Sequence, residues 1–246
     1  MRRRGVAHLA LLVGLSLAGC GSPDRSRDPT SGPAAGSGTA SPAVTGVALR
    51  FVALGDSYTI GTSVGVEERW PDQLVAALGS EPPTLELVAN LAVNGFTSRD
   101  VLDVEMPRLE ALEPQFVSLL IGVNDVVQGV PEATYRRNVE RILDDLVARV
   151  GADRIVVVTT PDYTVTPAGA DYGDQNANAA GIRAANAVIS DAARVRTIAV
   201  ADIHDVSLRA ATDRSLVARD GLHPSGAQYA LWIGRILPVV AELLAR

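Results

Sequence analysis

Ser57 closes the stretch Phe51-Val52-Ala53-Leu54-Gly55-Asp56-Ser57, where an apolar run fit for a buried strand stops at a glycine, an acid and a serine. A serine just past the carboxyl end of a parallel strand stands where such sheets deliver their chemistry. Ser57 is therefore the candidate nucleophile. A serine hydroxyl is a weak nucleophile on its own. It needs a base, an acid to orient that base, and hydrogen-bond donors for the oxyanion that its attack creates.

The chain leaves little choice of base, because it has three histidines, His8, His204 and His223. His8 lies in an N-terminal segment that reads as a removable leader. His223 sits in Asp220-Gly221-Leu222-His223-Pro224, so an acid three residues earlier can curl back to the ring across a glycine turn. A carboxylate there would fix the imidazole tautomer and stabilise the imidazolium formed on proton transfer. His204, in Asp202-Ile203-His204-Asp205, reads as a loop histidine satisfied by its neighbouring acids. His223 is the expected base and Asp220 its orienting acid.

Donors come from Asn94-Gly95 and from Gly122-Val123-Asn124-Asp125. A glycine lets a backbone N–H approach a substrate oxygen closely, and an asparagine amide can add a second donor. The expected oxyanion donors are the N–H groups of Ser57 and Gly95 and the side chain of Asn124. Asp56 and Asp125 beside the site, and Asp202 further on, are expected to fix their loops by hydrogen bonds. Tyr58 and Tyr163 are the aromatics expected to face substrate. Tyr163 belongs to the Thr-, Pro-, Gly- and Tyr-rich stretch Pro161–Gly173, which either shapes specificity or is a plain surface loop.

These residues need a frame. From Val47 onward, short apolar runs alternate with helical stretches, the signature of parallel β/α units. The pattern predicts strands near Arg50–Leu54, Leu85–Ala89, Phe116–Ile121, Ile155–Thr160 and Thr197–Ala201. It predicts helices near Glu67–Leu78, Ser98–Leu112, Pro131–Val150, Gln175–Ala193 and Ser225–Ala245. Thr97 with Asp100 resembles a capping box, and Pro131 suits a first helical turn. Trp70 and Trp232 fall in helices and are expected in the core. Five parallel strands with helices on both faces make a three-layer α/β/α sandwich. Ser57, Gly95 and Asn124 each follow a predicted strand, and a doubly wound sheet gathers those carboxyl ends along one edge.

Gly55-Asp56-Ser57, Gly95, Gly122-x-Asn124-Asp125 and Asp220-x-x-His223-Pro224 resemble, in order and spacing, the four blocks of the SGNH, or GDSL-type, hydrolases. The resemblance covers residues 47 to 246. It implies a flavodoxin-like fold, no metal or other cofactor, and a catalytic triad that maps onto Ser57, His223 and Asp220. The family's oxyanion donors map onto Ser57, Gly95 and Asn124. Two positions depart from the usual pattern: Tyr58 replaces a leucine after the serine, and Ala92 stands where many members carry a glycine. Thr59 also breaks the Gly-x-Ser-x-Gly elbow of ordinary α/β-hydrolases.

Composition narrows the partners. The chain has 246 residues, 47% hydrophobic and 20% charged, as expected of a globular protein with one domain of about 200 residues. All 22 basic residues are arginine, which excludes lysine chemistry such as Schiff bases or a P-loop. The formal charge is −6, with no basic stripe, so nucleic acid is not an expected partner. The first segment pairs Arg2-Arg3-Arg4 with an apolar run of about a dozen residues, short of the roughly 20 that span a bilayer. It ends in Leu17-Ala18-Gly19-Cys20, which resembles the lipobox of bacterial lipoproteins.

The expected organisation is a signal peptide over residues 1–19, a flexible linker over 20–46 and the hydrolase domain over 47–246. Cys20, the only cysteine, would carry the lipid, and the domain would work as a monomer on the cell envelope outside the cytoplasmic membrane. The expected activity is hydrolysis of short-chain or acetyl carboxylic esters through an acyl-enzyme. The alternatives are a lysophospholipase- or thioesterase-type acyl hydrolase, or a binding lipoprotein of the same fold that has lost catalysis. A flavin- or nucleotide-binding flavodoxin-like protein would need a Gly-rich phosphate loop, which is missing.

Overall fold

The structure is a computed structural model that describes residues 48–80 and 83–246. The leader, Cys20 and the linker lie outside the described residues.

Five parallel strands form one sheet in the order β2-β1-β3-β4-β5: β1 (Leu49–Gly55), β2 (Leu85–Asn90), β3 (Phe116–Leu120), β4 (Ile155–Val158) and β5 (Ala199–Ala201). This is the expected α/β/α architecture, and the strand order is flavodoxin-like. Order reverses between β1 and β3, and a doubly wound sheet opens its ligand crevice at such a switch point.

Alternation along the buried strands divides the core in two. Phe51 and Ala53 of β1 point to one face, where α2 (Trp70–Leu78) and α9 (Gly226–Leu244) pack with Trp70, Leu74, Tyr229 and Trp232. Val52 and Leu54 point to the other, against α6 (Glu132–Val150), α7 (Gln175–Val195) and the segment around Val101 and Leu109. Both tryptophans are fully buried, as expected. Phe51 and Phe116, paired in register across β1 and β3, meet edge to face at 5.9 Å. Each such fully buried side chain contributes about 1.5–3 kcal/mol. α9 is apolar and long enough to cross a membrane, but Tyr229, Trp232, Ile236, Val240 and Leu243 on it are buried in this core.

Three expectations need correction. The helix expected over Ser98–Leu112 is broken into α3 (Ser98–Asp100), a π-helical turn (Val101–Glu105), a 3₁₀ turn (Met106–Arg108) and α4 (Leu109–Leu112). Pro107 lacks an N–H and its ring crowds the carbonyl four residues back, which disrupts the regular α-helical ladder in this stretch. The helix expected from Glu67 starts instead at Trp70. Arg69 is extended, and Pro71 is tolerated only in the first turn. Pro131 stands outside α6 as its N-cap rather than in the first turn.

Thr97 and Asp100 do meet at the start of α3. The Thr97 N–H and hydroxyl donate to Asp100 Oδ2 at 2.8 and 2.7 Å. Short helices that the pattern did not predict also follow strands β1, β3 and β5: α1 (Ser57–Ile60), α5 (Val123–Val127) and α8 (His204–Ser207).

Candidate active site

The nucleophile turn is built around Gly55. Its φ is +149°, and a Cβ there would lie 2.3 Å from the Leu120 carbonyl oxygen and 2.7 Å from Thr59 Oγ1, so only glycine fits. Asp56 then caps α1. The Tyr58 N–H donates to its Oδ1 at 3.0 Å, and the Thr59 and Ile60 N–H groups donate to its carbonyl. The first N–H groups of a helix have no intrahelical partner. Here all but that of Ser57 are taken up, and the Ser57 N–H is left free. Burial pushes the Asp56 carboxyl up to about 7, with the nearby Asp125 adding to the rise against the Tyr58 bond.

The acid and base come from the loop before α9. Gly221 turns it with φ +76°. Asp220 Oδ1 accepts the N–H groups of Leu222 and His223 at 2.9 and 3.0 Å. Asp220 Oδ2 lies 2.6 Å from His223 Nδ1. Partial burial raises the Asp220 pKa, but hydrogen bonds from Leu222, His223 and Ser63 outweigh it and bring the carboxyl down to about 2. Asp220 is therefore ionised at neutral pH and Nδ1 carries the hydrogen. The lone pair belongs to Nε2.

Gly95, at φ +82°, turns the loop after β2, and its carbonyl accepts from Gln128 Nε2 at 3.2 Å. Its N–H, like that of Ser57, meets no acceptor among the described residues. Asn124 is the second residue of α5. Its Nδ2 donates to the Phe96 carbonyl at 3.0 Å and reaches Asp56 Oδ2 at 3.5 Å, which holds the amide in one orientation. Asp125 is engaged by Ser98. It accepts the Ser98 N–H at 2.8 Å and the Ser98 hydroxyl at 2.6 Å.

Ser57, Tyr58, Gly95, Asn124, Tyr163 and His223 all line one cavity of about 210 Å³. Every residue expected to face substrate is thus brought to it, with Asp220 directly behind His223. Ser57 Oγ makes no hydrogen bond among the described residues. A nucleophile–base hydrogen bond commonly forms only once substrate is bound. His204 is elsewhere, on a second cavity with Thr159 and Asp202, its Nε2 3.9 Å from Asp162 Oδ2. Asp202 accepts the Thr159 hydroxyl and the His204 N–H, a loop-fixing role as expected.

Sequence reasoning passed over several contributors. Val123, Val127, Tyr172 and Leu222 also line the cavity, and Tyr172 stands edge-on to Tyr163 at 5.8 Å. Tyr229 of α9 donates its hydroxyl to the Tyr58 carbonyl at 3.0 Å and steadies α1 from below. Glu105 accepts the Gly55 N–H at 3.0 Å. Of these, only Tyr172 carried a signal: it shares the aromatic loop of Tyr163.

A family model described as the GDSL-like lipase/acylhydrolase family matches residues 53–231. No curated protein matches the chain. Among solved structures, LAE5, an alpha/beta hydrolase enzyme from the metagenome of Lake Arreo, Spain, superposes with a TM-score of 0.63 at 20% identity, over 79% of this chain and 96% of that one. Axe2, an acetylxylan esterase from Geobacillus stearothermophilus, gives 0.62 at 19% identity over 78% and 94%. TesA gives 0.62 at 21% identity over 79% and 99%. At such identities the likeness speaks for the fold.

Proposed function

The chain belongs to the GDSL-like lipase/acylhydrolase family and is a serine ester hydrolase, and from that premise we propose that it cleaves acetyl or other short-chain carboxylic esters outside the cytoplasmic membrane. The observation that carries the reading is the Asp220–His223 pair at 2.6 Å, opening on the same small cavity as Ser57, two unpartnered N–H groups and the Asn124 amide.

In this reading, His223 Nε2 takes the Ser57 proton as Oγ attacks the ester carbonyl. Asp220 stabilises the imidazolium. The oxyanion is held by the Ser57 and Gly95 N–H groups and by Asn124, whose amide gives up its long 3.5 Å contact to Asp56 for the substrate oxygen, each such donor contributing about 3–4 kcal/mol to the transition state. His223 returns the proton to the leaving alcohol and an acyl-enzyme remains. Water activated by His223 then releases the acid.

Cavity size supports a small acyl group. About 210 Å³ is below the roughly 300–1,000 Å³ of pockets for drug-sized ligands, and Tyr58, Tyr163 and Leu222 are among the bulky side chains that line it. The similarity to an acetylxylan esterase makes acetylated xylan a natural candidate substrate. The test is turnover by the full-length chain of p-nitrophenyl acetate, butyrate and octanoate beside acetylated xylan. Acetyl and butyryl esters should react fastest, and Ser57→Ala should abolish turnover. A Ser57→Ala chain as fast as wild type, or octanoate preferred over acetate, refutes the reading.

The envelope location rests on Leu17-Ala18-Gly19-Cys20. Lipid on Cys20 would tether the domain through the linker at about 25–30 Å from the membrane. A Cys20→Ser chain should leave the membrane fraction; an unchanged distribution counts against the anchor.

A further inference from the structure

Ser63 is one of three non-glycine residues with positive φ among the described residues, at +69°. Side chains rarely occupy that region, and where they do the surroundings hold them there for a reason. The surroundings of Ser63 are the candidate active site. Its hydroxyl donates to Asp220 Oδ2 at 2.8 Å, across 157 residues of chain, and this is the same oxygen that faces His223 Nδ1.

The preceding residue completes a bridge. The Thr62 N–H donates to the Ser57 carbonyl at 3.1 Å, and the Thr62 hydroxyl donates to Asn94 Oδ1 at 2.6 Å, next to Gly95. Two consecutive residues therefore join the nucleophile turn, the Gly95 loop and the Asp220 loop.

We infer that Ser63 is a positioning residue for the ester hydrolysis, acting on His223 by sharing the charge of Asp220 Oδ2. The inference rests on the reading of Ser57, His223 and Asp220 given above. Asp220 Oδ1 is held by two backbone N–H groups, so the carboxylate keeps its place without Ser63. What changes is the charge on Oδ2. With the hydroxyl present, that oxygen divides its negative charge between Ser63 and the imidazole. Without it, the charge goes to Nδ1–H alone and the imidazolium is favoured.

Of the groups facing His223, Tyr58 of α1, with ring centroids 5.2 Å apart, and Tyr163 across the cavity are neutral at working pH, burial holding both hydroxyls above the ordinary tyrosine value. Tyr229 of α9 feels the charge of Asp220 from below and is also neutral, its hydroxyl held well above the ordinary tyrosine value by burial. None of these supplies a competing charge.

The experiment measures kcat/KM against pH with p-nitrophenyl acetate for the full-length wild type, Ser63→Gly and Ser63→Ala, with thermal unfolding of each and Ser57→Ala as control. The acidic limb of both Ser63 variants should move to higher pH by about half a unit. Ser63→Gly should melt no lower than Ser63→Ala, because both lose the bond to Asp220 and only glycine accepts φ +69° without strain. Acidic limbs that superimpose on wild type, or that move to lower pH, overturn the inference even if Ser57→Ala is inactive. Retained turnover by Ser57→Ala overturns the underlying reading as well.

Discussion

Glu105→Gln isolates what burial does beneath the nucleophile turn. Glu105 is fully buried, its Oε2 accepts the Gly55 N–H at 3.0 Å, and its Oε1 has no hydrogen-bond partner. Burial pushes the carboxyl from its ordinary value of 4.5 up to about 8, with Asp56 adding to the rise and the Gly55 bond opposing it. The folded protein therefore binds a proton at neutral pH that the unfolded chain releases. A carboxyl whose pKa is raised by folding leaves stability intact below its unfolded pKa. It erodes stability as pH climbs from there to the folded pKa, after which the loss is constant.

At 1.36 kcal/mol per pH unit, the interval from 4.5 to about 8 amounts to about 5 kcal/mol. Glutamine keeps an acceptor for Gly55 and cannot ionise. Urea unfolding of both chains gives a stability difference in which every shared titration cancels. That difference should favour the glutamine chain increasingly, by about 1 kcal/mol near pH 5, about 3 near pH 7 and about 5 near pH 9, on top of a constant offset. A difference that stays flat across this range would mean that Glu105 ionises freely in the folded state, and the argument from its burial would fail.

Two further predictions concern substrate. Asn124→Ala removes one oxyanion donor, so kcat should fall about 10²- to 10³-fold while KM stays within about twofold; a rise in KM at unchanged kcat would assign Asn124 to ground-state binding instead. Tyr172 is 43% exposed at the mouth of the cavity, edge-on to Tyr163. Tyr172→Ala should raise the octanoate-to-acetate ratio of kcat/KM by about tenfold, the scale of one or two methylenes in an apolar pocket, and an unchanged ratio would place the acyl chain elsewhere.

The frame was legible because buried parallel strands are nearly continuous apolar runs bounded by glycines and polar residues. β1 and β2 were found to within a residue at each end. β5 begins at Ala199 rather than Thr197, which takes φ +59° and cannot pair as a strand. The long amphipathic helices α6 and α7 were legible from their period. The turns α1, α5 and α8, of four or five residues, are too short to show one.

The cavity-facing groups were legible where chemistry limits the choice, as with two histidines outside the leader. The supporting groups were not. Ser63 reaches Asp220 across 157 positions and Glu105 reaches Gly55 across 50, and no local pattern marks either pair. Glu105 was further hidden by the break at Pro107. A straight helix over Ser98–Leu112 would have placed it differently from the π-helical turn that carries it inward.

One division of labour among carboxylates ties these observations together. Asp56, Glu105 and Asp125 are all buried, each accepts a backbone N–H from a loop of the site (those of Tyr58, Gly55 and Ser98), and burial raises the pKa of each. Asp220 also accepts backbone N–H groups, but it is only partly buried and carries four hydrogen bonds, so its pKa falls instead. Similar side chains are thus separated by environment into anchors biased toward the neutral form and one group that stays charged. Only a charged neighbour can favour the imidazolium, so Asp220 is the carboxylate able to assist His223. Two more ionised acids at Asp56 and Asp125 would set negative charge beside the place where an oxyanion must form. Burial biases both anchors toward the neutral form and so weakens the field that would oppose the Ser57 and Gly95 N–H groups and the Asn124 amide at a substrate oxygen.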